Sequence, residues 1–171
     1  MRLLARKPGM TREQFAVRWE ESREKFYRFA YCYVKNEHDA MEILSEATYR
    51  AFCALGTLRD PAAFDTWMCT ILVRCSYTFL KQRSRFVAYE DTQEASSGDE
   101  SGLTDLRLDV YRLMDGLSTE ERTLLILRFF QERSLEEIAG IMDMPLSTVK
   151  SKLYRSLTKM RNMEQEADSH V

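Results

Sequence analysis

Apolar residues recur at spacings of three and four along most of the chain, which predicts a series of amphipathic helices. Thr11 and Gln14 form a capping box that opens the first, with Phe15, Trp19, Phe26, Ala30 and Tyr33 on one side and an end near Lys35-Asn36. A second runs from about His38 to Leu55 on Ala40, Ile43, Leu44, Ala47, Ala51 and Leu55. Asp60-Pro61 starts a third, because aspartate caps well and proline suits a first turn; Phe64, Trp67, Met68, Ile71, Leu72, Cys75 and Phe79 form its stripe. The pattern resumes with Leu106, Val110, Leu113 and Met114, and then Ser118 and Glu121 cap a helix holding Leu124, Leu125, Leu127 and Phe130.

Two short helices close the pattern. Ser134 and Glu137 make a third capping box ahead of Leu135, Ile138, Ala139 and Met142, and Val149, Leu153, Leu157 and Met160 share one face of the next helix. Between them lies Asp143-Met144-Pro145, where aspartate tolerates a left-handed backbone and Pro145 denies helical geometry to Met144. Ser147 is then the expected N-cap. The fold class is all-α: two small helical domains joined by a flexible acidic linker, the C-terminal one a helix–turn–helix.

The linker follows from composition. Residues 90–102, EDTQEASSGDESG, hold five acids and no base, too little apolar surface to offset ordering entropy. The expected boundaries are 12–88, 89–104 and 105–163. Each helical domain is near the lower size limit for independent stability, so modest stability is expected unless a partner binds. The frayed start and the polar end, Glu164 to Val171, are expected to be disordered. At 171 residues, 44% hydrophobic and 30% charged, the chain reads as soluble and globular. No apolar run suits a bilayer or a signal peptide, so membrane insertion is not expected and the location reads as cytoplasmic. Four cysteines without a C-x-x-C pair and two histidines argue against a metal site; buried free thiols are expected, and no cofactor.

The net charge of −2 disfavours a polyanion partner at first sight, but the linker alone contributes −5. From Leu146 to Met163 the last helix carries Lys150, Lys152, Arg155, Lys159 and Arg161 and no acid. Such a helix after a tight turn suits the major groove of DNA, although on charge alone a solvated basic face fits as well. The third helix changes similarly: no acid occurs between Asp65 and Glu90, while Arg74, Lys81, Arg83 and Arg85 accumulate beside Tyr77, Phe79 and Phe86. Cations beside stacking rings suit single-stranded nucleic acid. Rings in the core and cations ending a helix fit equally.

These residues resemble the extracytoplasmic-function group of bacterial RNA polymerase sigma factors from about Phe15 to Met163. SLEEIAGIMDMPLSTVKSKLYRSL carries the likeness most specifically, and FYRFAYCYVKNEHDA, EILSEATYRAF and FDTWMCTIL follow the family order more loosely. The resemblance implies a non-catalytic subunit that recruits core polymerase to promoter DNA. It implies a polymerase contact through Glu42, Ile43, Ser45 and Glu46. It also implies −10 binding through Arg50, Trp67, Arg74, Tyr77, Lys81 and Arg83. The −35 element would meet Lys150, Ser151, Lys152, Tyr154 and Arg155, with Ser147 and Thr148 near phosphates. An anti-sigma factor commonly occupies these surfaces in the family.

Ser45, Arg74 and Thr78 stand where the family often has glutamine, asparagine and aspartate. Arginine donates a planar pair of hydrogen bonds but accepts none, so Arg74 implies a different −10 preference. A stand-alone helix–turn–helix regulator is the alternative, with the N-terminal domain dimerising or binding a ligand. An enzyme lacks support, since there is no glycine-rich phosphate loop and no histidine set beside a nucleophile.

Overall fold

The computed structural model describes residues 9–87 and 114–168, among which there are helices and no strand. Helix α1 spans Arg12–Val34, α2 Glu37–Cys53 and α3 Phe64–Val87; α4 spans Thr119–Leu125, α5 Leu135–Met142 and α6 Leu146–Asp168. The caps follow the local chemistry of the sequence. Thr11 with Gln14, Ser118 with Glu121 and Ser134 with Glu137 each form both bonds of a capping box. Asp60 accepts from the Ala62 amide ahead of a short 3-10 turn, Pro61–Ala63, that feeds α3. Asn36 caps α2, which begins after Lys35 turns the chain in a left-handed conformation.

Two expectations at the last helices change. Asp143 adopts the left-handed conformation, φ 52° and ψ 51°, as its chemistry allows. The next helix then begins at Leu146, with the Pro145 carbonyl accepting from the Thr148 and Val149 amides at 2.9 and 3.1 Å. Ser147 therefore sits in the first turn and is not the cap. At the other end α6 continues to Asp168 rather than stopping near Met163, because nothing in that polar run breaks a helix. The linker, together with Leu106, Val110 and Leu113, lies outside the described residues.

In the N-terminal half α2 packs on both α1 and α3. Phe26, Phe29, Ala40, Ala47, Phe64, Met68 and Leu72 are fully buried, and Phe64 lies edge-on to Phe15 at 5.9 Å. The C-terminal half has an aliphatic core: Leu124, Ile126, Leu127, Ile138 and Val149 are all inaccessible. Helix α4 runs into a π turn, Ile126–Phe130, closed by the Gln131 amide on the Ile126 carbonyl at 3.0 Å. Beyond this wide turn Gln131 is buried, while Phe129 remains 56% exposed. The polar Gln131 ends up inside because the second half of the chain is docked on the first.

That docking was absent from the expected architecture. α3 packs on α5, and α1 touches the π turn. Along α3, Thr66, Cys69, Val73 and Tyr77 follow one another at spacings of three and four and form a second face beside the expected stripe. Cys69 and Val73 are buried there, so α3 is covered from two sides. The buried apolar residues of both halves form one continuous cluster. Two units that are each marginal in size thus share a core, which raises the fraction of surface removed from water.

Candidate nucleic-acid interface

The cationic side of α6 is built by its own stripe. Val149, Leu153 and Ser156 are buried against α4 and α5, which turns Lys150, Ser151, Tyr154 and Arg155 outward. Tyr154 is a large aromatic left 69% exposed. Among the described residues Arg155 bonds only along its own helix, from Nε to the Ser151 carbonyl at 3.3 Å. Among the described residues Lys150 and Arg155 have no acidic partner. Lys152 differs: it is half-buried and paired with Glu120. Lys159 pairs with Glu121 at 3.2 Å. Thr148 is half-buried and Ser147 exposed at the helix start, where free amides favour an anion.

The expected −10 residues divide into two sets. Arg74, Lys81 and Arg83 are exposed along α3, with Arg83 bonded to Asp39 of α2. Arg50 of α2 reaches Glu46 at 2.5 Å, an exposed pair one turn apart. Trp67 and Tyr77 are half-buried instead. The Trp67 indole N–H donates to the Thr57 hydroxyl at 3.3 Å, and its ring packs near Phe64 at 6.3 Å. Tyr77 points into the contact between halves, and Phe79 packs on the core. The described rings of the cationic segment, Tyr77 and Phe79, are therefore partly buried against the core in this arrangement.

Glu42, Ser45, Glu46 and Arg50 come together with Cys75, Thr78 and Gln82 around a cleft of about 480 Å³ between α2 and α3. The expected polymerase contact at Ile43 needs correction. Its side chain is 1% exposed and belongs to the core, since residue 43 falls on the apolar stripe of α2 while 42, 45 and 46 fall off it. His38, Asp39 and Glu42 approach one another nearby, but Asp39 already serves Arg83.

Of the residues that join the halves, the sequence pointed to Tyr33, Tyr77 and Glu137 only for other roles, and not to Thr66, Arg122, Thr123, Gln131 or Arg133. Thr123 donates its hydroxyl to the Thr119 carbonyl at 2.7 Å, so it accepts from both Tyr33 at 2.7 Å and Tyr77 at 3.0 Å. Burial raises the pKa of both phenols, Tyr33 far more, and keeps them donors. Arg122 donates to the Tyr33 carbonyl at 3.2 Å and the Met114 carbonyl at 3.1 Å. Gln131 donates to the Lys25 carbonyl at 3.3 Å and accepts from the Cys69 thiol at 3.8 Å. Burial pushes that thiol up to about 12, which leaves it protonated and unreactive. Thr66 donates to Glu137 at 2.6 Å and accepts from Arg133 at 3.3 Å. The available signal was a polar residue within an apolar run: Thr123 precedes four consecutive aliphatics, yet is fully buried.

A helical body that carries an outward cationic helix after a tight turn is a DNA-binding architecture. Family models agree: one described as Sigma-70 region 2 matches residues 19–86, and one described as Sigma-70, region 4 matches residues 107–160. RNA polymerase sigma factor SigV of Bacillus subtilis (strain 168) is 36% identical over 143 residues, 82% of this chain and 85% of that protein. The ECF RNA polymerase sigma-E factor of Escherichia coli (strain K12) is 30% identical over 142 residues, 74% of each. The sigma factor RpoE of Bartonella quintana, solved in complex with the anti-sigma factor NepR, superposes with a TM-score of 0.75 at 20% identity, covering 90% of this chain and 98% of that one. CnrH, solved with the cytosolic domain of CnrY, gives 0.69 at 16% identity over 91% and 90%. Those two likenesses concern the fold.

The chain belongs to the sigma-70 family, in its extracytoplasmic-function group. Its function is that of a sigma factor, directing RNA polymerase to promoters to initiate transcription. The stand-alone regulator falls with this assignment, since the region 2 match occupies the N-terminal half. No described helix is long and apolar enough to cross a membrane.

Proposed function

We propose that this sigma factor holds promoter DNA with two separate surfaces and performs no catalysis itself. The unit at 105–163 reads the −35 duplex through Lys150, Ser151, Tyr154 and Arg155, with Ser147 and Thr148 at the phosphates and Lys152 joining after it leaves Glu120. The unit at 12–88 binds the −10 strand along the exposed cations of α3, Arg74 foremost, and meets core polymerase through Glu42, Ser45 and Glu46. Residues 89–104 connect them. An anti-sigma factor is the expected regulator, because RpoE of Bartonella quintana, a protein of the same fold, was solved with one. The working compartment is the cytoplasm, where polymerase and promoter are.

The observation that carries the −35 reading is the outward side of α6, where Lys150, Tyr154 and Arg155 are exposed and no described acid engages the two cations. Reconstituted transcription with core polymerase on a promoter library tests it. Initiation that depends on this protein, and that falls for −35-bearing promoters in Arg155→Ala, is the expected result. Unchanged promoter use in that variant removes α6 from the duplex.

A further inference from the structure

We infer that Glu120 is a positioning residue for the −35 contact: on one shoulder of α6 its carboxylate takes the place of a DNA phosphate, and promoter DNA must draw Lys152 away from it. This rests on the promoter reading above. Helix geometry is the first ground. An α-helix turns about 100° per residue, so Lys152 lies about 200° and Lys159 about 180° round α6 from Lys150. Ser151, Tyr154 and Arg155 occupy the outward sector between these shoulders, and Val149, Leu153 and Ser156 the buried one. A helix laid in the major groove has a phosphate backbone along each side. Lys150 therefore faces one strand, and Lys152 with Lys159 the other.

The ion pairs supply the second ground. Among the described residues Lys150 has no acidic partner, whereas both cations of the opposite shoulder are engaged, Lys152 by Glu120 and Lys159 by Glu121 at 3.2 Å. The two acids are neighbours in the first turn of α4, which packs on α6. They set two carboxylates along the side where the phosphates of the second strand would run. Their situations differ. Glu121 Oε2 also accepts from the Ser118 amide at 2.8 Å, a capping bond that remains when Lys159 leaves. Glu120 accepts only from Lys152 among the described residues. The Lys152 side chain is 33% exposed, so it can reach solvent and exchange partners. Once it moves to a phosphate, Glu120 is an unpartnered carboxylate beside a polyanion, and like charges set together weaken association. Glu120 thus lowers the strength of the −35 contact, and it acts through Lys152.

Holoenzyme reconstituted with core polymerase tests this, with binding to a −35-bearing promoter followed against salt. Glu120→Gln is expected to tighten binding about twofold to fivefold, the worth of a surface ion pair. The salt slope should stay as in the wild type, because Lys152 reaches the same phosphate in both proteins. Lys152→Gln should lower that slope by about 0.9, and in its background most of the Glu120→Gln gain should disappear. Glu121→Gln keeps a capping side chain and should tighten binding less than Glu120→Gln. Neutral methylphosphonates placed singly along the duplex should cease to matter on one strand in Lys152→Gln and on the other in Lys150→Gln. Unchanged or weaker binding by Glu120→Gln overturns the role of Glu120, as does a gain that survives Lys152→Gln in full, or both lysines mapping to one strand. These failures are separable from failure of the promoter reading. Arg155→Ala with unchanged promoter use removes α6 from the duplex altogether, whereas a weakened Arg155→Ala beside an inert Glu120→Gln removes only the role of Glu120.

Discussion

Helices α3 and α6 are nearly equal in length, 24 and 23 residues, and both gather cations without acids over much of their course. They differ in what covers them. α6 buries one stripe and presents Lys150, Tyr154 and Arg155 to solvent, while α3 is packed by α2 on one side and by the C-terminal half on another. Up to Leu80 only an edge of α3 with Arg74 and Thr78 stays open, whereas residues 81–85, with Lys81, Arg83 and Arg85, are exposed throughout. Cationic composition thus locates a possible phosphate surface, and burial decides how much of it is available.

The largest test compares equal truncations in the two helices. Leu72 of α3 is inaccessible, whereas Leu153 of α6 is 7% exposed near the edge of a smaller core. Deleting a buried leucine side chain to alanine costs about 2–5 kcal/mol, with the higher values where neighbours cannot collapse into the space. Leu72→Ala is expected near the top of that range and Leu153→Ala near the bottom, read as urea midpoints at equal slope. An equal or larger loss for Leu153→Ala breaks the comparison.

A smaller effect separates the functions. Arg155→Ala should weaken binding to −35 duplex by about 1–3 kcal/mol if it reads a base edge, or lower the salt slope by about 0.9 if it meets one phosphate. Arg74→Ala should leave duplex binding and polymerase binding unchanged and reduce strand opening at −10, measured by permanganate reactivity of unpaired thymines. Loss of polymerase binding in Arg74→Ala would move that edge of α3 to the polymerase contact. Arg83→Ala belongs lower still. Its guanidinium is 44% exposed and already bonded to Asp39, so a stability change of about 0–1 kcal/mol is expected. Its effect on opening should be less than that of Arg74→Ala.

Local chemistry was the legible part of this sequence. Three capping boxes, the Asp60-Pro61 start and the left-handed Asp143 followed from side chains that satisfy backbone groups within a few residues. One buried stripe per helix was legible for the same reason. The second face of α3 was not, because Thr66, Cys69, Val73 and Tyr77 are mixed in polarity and acquire meaning only when Glu137, Gln131 and Thr123 arrive from far along the chain. The same mixing hides a second role for one ring, since Tyr77 reads as a stacking platform and also shares a hydroxyl bond with Thr123. Ile43 failed by register: a motif carried it into the polymerase contact although its own periodicity put it in the core.

The smallest effect distinguishes a carboxylate that joins the halves, Glu137, from one whose partners Ser118 and Lys159 both lie in the C-terminal half, Glu121. The Thr66 hydroxyl, then the Ser134 amide and the Arg133 charge, hold Glu137 below its ordinary value of 4.5 against opposing burial. Glu121 is lowered too, first by the Ser118 amide. A carboxyl whose folded pKa lies below its unfolded one stabilises fully above about pH 4.5, and that contribution fades as pH falls through the folded value. Urea midpoints of the wild type should therefore decline from about pH 4.5 downward. Thr66→Val removes the leading cause at Glu137, so it should flatten part of that decline. Glu137→Gln should add little more in the Thr66→Val background, while Glu121→Gln should add its full share, since the two sites have separate partners. If Glu137→Gln and Thr66→Val instead add in full, Thr66 is not what sets the Glu137 carboxyl, and the rim of the contact between α3 and α5 is weaker than its 2.6 Å bond implies.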